Sequence, residues 1–256
     1  MKWYGEDLAY VHDVGHSDYA LQSAPGILNI FKQHDIQTGL IVDLGCGSGL
    51  SAAELTKAGY RVFGVDISES MIAIARARVP DAEFRVESLF KANLPPCRAV
   101  ISVGECLNYL FDVQNDAQND VNNNYSQLMQ LFHRIYSALA PGGVFIFDVA
   151  EPGQVTSEST SQGFSEGKDW VILVEKQEDR KQATLTRRIV IFRKIEEYYR
   201  RSDEVHHLRL YEAADVAERL RCVGFQVQIM RCYGQYNLPK AHAAFVAIKS
   251  GSTKSI

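Results

Sequence analysis

The chain has 256 residues, 27 Lys and Arg against 31 Asp and Glu, with 46% hydrophobic and 10% aromatic residues; it can bury a sizeable core, or a core plus a small appendage, so a disordered or fibrous protein is excluded. A net charge of −4 excludes an electrostatic grip on a phosphate backbone as the main activity, because such binders carry a clear basic excess, and no nucleic-acid partner is expected. No run approaches about 18 consecutive apolar residues, and the first residues hold no hydrophobic stretch before a small-residue cleavage site, so neither a membrane nor export is expected and the cytoplasm is the expected location.

Residues 1–23 crowd Trp3, Tyr4, Tyr10, His12, His16 and Tyr19 among Asp7, Asp13 and Asp18 without a clean period, and read as a lid or docking arm. From Pro25 to His34 the spacing of Ile27, Leu28, Ile30 and Phe31 predicts a short helix with Pro25 in its first turn. Short apolar runs then alternate with amphipathic helices, the pattern of a parallel sheet covered on both faces. The strands expected are 40–44, 61–65 ending at Asp66, 84–86, 99–103 and 144–149. The helices between them run from Leu50 to Ala58, from a Ser68 cap to Pro80, and through Leu128, Leu131, Phe132, Ile135 and Leu139 to the stop at Pro141-Gly142-Gly143. Residues 115–124 are nearly all polar and predict a solvated loop.

After Glu151 the composition changes. Residues 154–167 read as a Ser, Thr, Gln and Gly linker, and 170–175, 185–194 and 198–210 as three β segments of an inserted antiparallel sheet. Between Lys168 and Arg209 there are 11 basic and 8 acidic residues, a local excess that suits either an anionic ligand or a solvated charged face. A helix from Glu212 to Cys222 and strands at 225–230 and 243–248 complete the core. The expected domains are therefore 1–153 with 211–250 as one unit, and 154–210 as an inserted cap. The five cysteines show no C-x-x-C pair, so neither a disulfide framework nor a zinc site is expected, and no spacing suggests another metal.

The decisive segment is Ile41-Val42-Asp43-Leu44-Gly45-Cys46-Gly47-Ser48-Gly49, between an apolar strand and an amphipathic helix. Glycines let the backbone turn sharply and approach a ligand, and the helix offers unpaired N–H groups. Asp66 closes the next strand 19 residues after Gly47, where a carboxylate can accept ribose hydroxyls, and the combination predicts a nucleoside-containing cofactor. A dinucleotide fingerprint needs glycine where this chain has Leu50, which weighs against a nicotinamide-dependent oxidoreductase.

This segment resembles motif I of the class I S-adenosylmethionine-dependent methyltransferases, D-x-G-x-G-x-G after a hydrophobic strand, matched by Asp43, Gly45, Gly47 and Gly49. The resemblance continues through 62–68, 84–89 and 139–145, spanning about 39–149 and, more loosely, the helix and strands after Tyr211. It implies a Rossmann-like, doubly wound α/β fold: a seven-stranded, mostly parallel sheet with the last strand antiparallel, plus the small inserted antiparallel sheet. It also implies S-adenosylmethionine as cofactor, with Gly45, Cys46 and Gly47 along its methionine part and Asp66 on the ribose. Ile67 and Met71 would face the adenine and Glu87, Ser88 and Leu89 its edge, and Gly104 is a further cofactor-binding candidate. The family commonly has an Asp-Ala pair where this chain has Glu87-Ser88. Plainer roles stand beside these: Asp66 as a helix cap, Ile67 and Met71 as core, and Cys46 as a small residue that fits a turn.

The end of the fourth strand, Val103-Gly104-Glu105-Cys106-Leu107-Asn108-Tyr109-Leu110, borders the crevice where such sheets bind ligands. Glu105 is a candidate base or ammonium partner, and Asn108 and Tyr109 are candidates for orienting the acceptor or for packing. His12 and His16 are further candidate bases, or packed histidines. The segment lacks the Asn-Pro-Pro-Tyr or Asp-Pro-Pro-Tyr run of nucleic-acid amino-methylating relatives, and its form looks like the small-molecule branch. O- or N-methylation of a small molecule is expected. A catalytically silent cofactor-binding regulator is the rival, and a homodimer stays compatible with the sequence.

Overall fold

The computed structural model describes residues 3–111, 121–155 and 160–251. Helices α1 (Glu6–Gly15) and α2 (Asp18–Gln33) precede β1 (Leu40–Leu44), α3 (Leu50–Lys57), β2 (Arg61–Asp66), α4 (Glu69–Arg78), β3 (Glu83–Val86) and β4 (Cys97–Ser102). Then come α5 (Val121–Ala138), β5 (Leu139–Ala150), β6 (Ser161–Glu166), β7 (Trp170–Asp179), β8 (Thr184–Ile195) and β9 (Tyr198–Arg209). The chain ends with α6 (Ala213–Val223), β10 (Phe225–Met230), the short β11 (Cys232–Tyr233) and β12 (Tyr236–Asn237), and β13 (His242–Lys249).

Seven strands form one sheet in the order β10-β13-β5-β4-β1-β2-β3. All neighbours are parallel except β13, which runs antiparallel to both β5 and β10. The fold is Rossmann-like and doubly wound, as expected. Two apolar clusters cover its faces: Phe132, Phe145 and Phe245 with α5 and α6 on one, Phe31, Ile72 and Ile146 with α2, α3 and α4 on the other. Strands β1 and β4 are buried on both faces, which is why they read as continuous apolar runs. The strand order reverses between β1 and β4, so their carboxyl ends open the crevice in which open α/β sheets bind ligands.

The second sheet, β6-β7-β8-β9, is antiparallel throughout. It has four strands where the sequence suggested three, because Ser161–Glu166, taken for linker, pairs along Val171–Lys176. The strand is mostly exposed and lacks an apolar rhythm, so its stability comes from the ladder and not from burial. Residues 156–159 of that linker, and 115–120 of the expected polar loop, lie outside the described residues; from Val121 the loop's remainder is already helix.

The N-terminal arm departs most from expectation. It is helical from Glu6, and Pro25 sits inside α2 and not in its first turn. A proline there removes the bond to the carbonyl four residues back, and Leu21, which loses that partner, is exposed. Helix α1 hides from a periodicity search because it packs two ways. Leu8 and Val11 join Trp170, Ile172, Ile189 and Ile191 of the second sheet, while the same helix touches α4 of the first. One further boundary moved: the helix expected to run through Leu139 ends at Ala138, and Pro141-Gly142-Gly143 fall inside β5.

Candidate active site

The loop after β1 is tied to the next strand from below: the N–H groups of Gly45 and Cys46 both donate to the Val65 carbonyl, at 2.8 and 3.0 Å. Gly45 and Gly47 take φ of +76° and +51°, conformations that side-chain-bearing residues adopt at a cost. A Cβ on Gly47 would meet nothing within 4 Å, and the same holds for Gly104 at the end of β4, so both backbones face open space. The Asp66 carboxylate accepts from Gly47 N–H and Ser68 N–H, each at 2.9 Å. It therefore braces the glycine loop against the start of α4, and Ser68 caps that helix by accepting from Met71 N–H at 3.1 Å.

Beyond β4 the chain turns through Glu105, held at φ +54°. Asp148, fully buried at the end of β5, fixes that turn by accepting from Gly104 N–H and from Glu105 N–H at 2.6 Å, while Tyr233 donates its hydroxyl to the same carboxylate at 3.0 Å. The Glu105 side chain meets the Arg187 guanidinium of β8 and, at 3.0 Å, Nε2 of His242. Burial pushes the Glu105 carboxyl up, but Arg187 and His242 outweigh that and hold it well below the usual carboxylate range. Burial alone would lower His242; the Glu105 carboxylate raises it instead. Both His242 ring nitrogens face acceptors, the carboxylate and the Lys240 carbonyl at 2.9 Å, which suits an imidazolium.

These elements enclose a cavity of about 610 Å³. Its floor is the carboxyl edge of the large sheet, one wall is α1 with the start of α2, and its roof is the inner face of β7, β8 and β9. The arm is stitched to the roof: Tyr4 and Gly5 N–H donate to Glu204 at 2.9 and 2.8 Å, and Tyr10 donates to Asp169 at 2.8 Å. Tyr4 also contributes its carbonyl to Ser68 Oγ at 2.7 Å and its hydroxyl to Tyr109 at 2.8 Å.

Among the residues named from sequence, Gly45, Gly47, Asp66, Ile67, Met71, Ser88, Leu89 and Gly104 line this one cavity, as do Glu105, Tyr109, His12 and His16. Asp43, Cys46, Gly49, Glu87 and Asn108 do not. Asp43 is buried beneath the loop with Oδ2 unpartnered; burial first, and then the Asp66 charge, push its carboxyl up to about 7. Burial also raises the Asp66 carboxyl, against the lowering effect of its backbone donors. Gly49 caps α3, and a Cβ there would come within 3.0 Å of Ala75. Cys46 is buried, and burial pushes its thiol up, which leaves it unreactive.

For two candidates the structure shows which partners the side chains hold. Asn108 does not reach the cavity: its amide donates to the carbonyls of Ala150 at 2.9 Å and Arg209 at 2.5 Å and accepts from Ala150 N–H at 3.0 Å, so it clamps three chain segments. Glu105 has one carboxylate oxygen on Arg187 and the other on His242, so neither oxygen is left open to take a proton from an acceptor. His12 is half-buried with its Nδ1 enclosed and unpartnered, and desolvation, with His16 beside it, lowers its pKa to about 4. Burial lowers His16 as well. Tyr109, its phenol pushed up to about 12 by burial, also accepts from Arg187 at 3.3 Å.

Sequence reasoning missed Arg187, Lys176, Tyr4, His242 and Asp148. For Lys176 and Arg187 a signal existed: each interrupts an inward-facing apolar row, Ile172-Val174-Lys176 on β7 and Arg187-Ile189-Ile191 on β8. The roof turns the His206 face inward: His206 lines the cavity while His207 does not. Among the described residues no cluster of His, Cys, Asp and Glu could hold a metal, and no helix is long and apolar enough to cross a membrane.

Residues 41–143 match the family model of a methyltransferase domain. A putative methyltransferase of Geobacillus sp. (strain WCH70) is 36% identical over 109 residues, 43% of this chain and 41% of that protein. The putative methyltransferase YqeM of Bacillus subtilis is 24% identical over 229 residues, 86% of this chain and 87% of that one. Trans-aconitate 2-methyltransferase of Paracidovorax citrulli is 34% identical over 132 residues, 51% of this chain and 46% of that protein. The alignments with the Geobacillus and Paracidovorax proteins thus span under half of either relative. Among solved structures, an S-adenosylmethionine-dependent methyltransferase from Clostridium acetobutylicum shares the fold with a TM-score of 0.78 at 18% identity, over 97% of this chain and 99% of that one. The sugar N-methyltransferase KedS8 from Streptoalloteichus does so at 0.74 and 18%, over 98% and 97%.

Proposed function

The chain belongs to the class I S-adenosylmethionine-dependent methyltransferases, and on that premise we propose that it methylates an oxygen or nitrogen of a small molecule held between the large sheet and its roof. The observation that carries this reading is the single cavity of about 610 Å³ that joins the glycine loop and Asp66 to the polar inner face of the inserted sheet. Its size falls in the range of small-molecule sites, about 300–1,000 Å³. The trans-aconitate enzyme and the sugar N-methyltransferase, both similar to this chain, support a small-molecule acceptor in the part of that space the cofactor leaves. We read 1–153 and 211–250 as the cofactor domain and 154–210 as the acceptor cap.

The residues present fit the cofactor. Gly47 and Gly104 leave the space a backbone-contacting ligand needs, Asp66 borders the same space for the ribose, and Ile67, Met71 and Leu89 supply apolar walls for the adenine. When bound, S-adenosylmethionine supplies an electrophilic methyl carbon on a sulfonium. Asp43, buried under the loop and outside the cavity lining, would contribute negative potential favourable to such a cation.

The other residues exclude water and manage protons. The arm seals the cavity through Tyr4, Gly5 and Glu204, and a dry site strengthens the alignment of an unsolvated lone pair. An O–H or N–H acceptor sheds a proton on methylation. His12 lines the cavity, its Nδ1 has no partner and its ring is neutral near pH 7, so it is the side chain with a nitrogen open to take up that proton.

The test is transfer of labelled methyl from S-adenosylmethionine into a low-mass product of a cell extract. Asp66→Ala is expected to abolish it through cofactor binding, and His12→Gln to slow turnover about 10²-fold with cofactor affinity retained. Cofactor binding without label transfer into any extract would point to a silent binding protein and remove the proposal.

A further inference from the structure

Three side chains form one row across the inner face of the roof. Lys176 of β7 lies directly opposite Arg187 of β8, and Arg187 directly opposite His206 of β9; all three line the cavity. Like charges directly opposite each other on one sheet face are destabilising. The Lys176–Arg187 pair therefore needs negative charge, and the chain supplies one carboxylate for it. Glu105 meets Arg187, and its second oxygen is already taken by His242. The Lys176 ammonium has neither a hydrogen bond nor an ion pair among the described residues.

The surroundings sharpen the point. Along the same face of β7, Ile172 and Val174 precede Lys176, and Ile189 follows Arg187 on β8, so the ammonium stands at the edge of an apolar patch where water compensates poorly. Burial, and then the Arg187 charge, lower the Lys176 pKa and outweigh the raising effect of Glu105. His206, the third member, is fully buried with Nδ1 unpartnered while Nε2 meets Glu204 at 2.8 Å. Lys176 is half-buried, and a pocket that leaves such a cation without a direct partner carries a polar anchor for an anion.

We propose that the acceptor is an anion, and that its carboxylate or phosphate group docks on Lys176 in the roof, opposite the glycine loop. The assignment rests on the proposed function and names the class of acceptor that it leaves open. It also bears on the nucleophile. A fixed cation near the acceptor disfavours protonation of an amine and favours ionisation of an acid, so either atom is presented with its lone pair free.

The experiment is calorimetric titration of the full-length protein, with and without bound S-adenosylhomocysteine, using citrate as the polycarboxylate probe and inorganic pyrophosphate as the phosphate probe. At least one probe is expected to bind the loaded protein, and the stronger of the two identifies the source of the anion. Lys176→Met should weaken that probe about 10- to 100-fold, the worth of a charge-assisted hydrogen bond. Lys176→Arg should restore most of the affinity, and Lys181→Met, on the exposed turn after β7, should change nothing. Failure of both probes, or equal binding to Lys176→Met, overturns the proposal. So does a Lys176→Met variant that loses S-adenosylhomocysteine instead, because the lysine would then serve the cofactor's own carboxylate. If the wild type binds no S-adenosylhomocysteine, the methyltransferase reading fails, while the titrations without it still decide whether Lys176 holds an anion.

Discussion

Asp43 shows how a residue can be retained against stability. Its carboxyl, raised to about 7 by burial and then by Asp66, binds a proton more tightly in the folded chain than at its unfolded pKa of about 3.9. Such a group weakens the fold progressively as pH rises above about 4, with the full penalty above its folded pKa. Asp43→Asn should therefore raise the melting temperature at pH 8 and give no gain at pH 4. The same variant should weaken S-adenosylmethionine more than S-adenosylhomocysteine, measured calorimetrically, because only the former carries the sulfonium charge. Glu105 works in the opposite direction. Its lowered pKa contributes stability that is present above the unfolded carboxyl range and lost as pH falls through the folded value. Glu105→Gln leaves the Arg187 side chain, 12% exposed, without its carboxylate, and chemical denaturation should show a loss of about 3–5 kcal/mol. Lys176→Met made in the same background should recover part of it, since one of two facing cations is gone. The glycines and Asp66 were legible because their chemistry is local. The partners of Glu105 were not, because they stand 82 and 137 residues away, and no periodicity links them.

At the scale of elements, the arm and the first roof strand carried the least signal. Helix α1 divides its apolar residues between the roof and α4, so no single stripe emerges, and β6 has almost no buried side chain from which alternation could be read. The strands of the large sheet announced themselves because parallel strands buried on both faces need continuous apolar sequence. Helix α2 illustrates a tolerance no pattern predicts: it carries Pro25 and, one residue on, Gly26, where a Cβ would come within 2.3 Å of the Tyr233 carbonyl carbon. The close approach lets α2 lie against β11. Gly26→Ala forces two backbones apart, and equilibrium unfolding should register a destabilisation of about 3 kcal/mol.

For the molecule as a whole, the parallel architecture and the doubly wound class followed from the alternation of elements, the seven strands with an antiparallel last one rested on the family resemblance, and the sheet order came only with the structure. The cavity required three dimensions, since α1, the β4 end and β9 meet there from distant parts of the chain. Cofactor binding should consequently be felt well beyond the glycine loop. S-adenosylhomocysteine at about 100 times its Kd adds about 2.7 kcal/mol to stability. Hydrogen exchange should show added protection in α1 and β9 along with the β2–α4 turn, because Tyr4 and Glu204 couple all three. Protection confined to residues 45–66 would mean that the arm moves independently. The segment after β4 has a different consequence. Tyr109 bridges to Leu208, Leu110 N–H donates to the His207 carbonyl at 3.0 Å, and the Asn108 amide reaches Arg209. The roof thus takes its seating from this stretch as much as from its own connections. Chimaeras that transplant a foreign cap between Ala150 and Tyr211 to redirect acceptor choice would have to carry the donor's 105–110 segment with it, and swaps that leave that hexapeptide behind should yield misregistered, inactive hybrids.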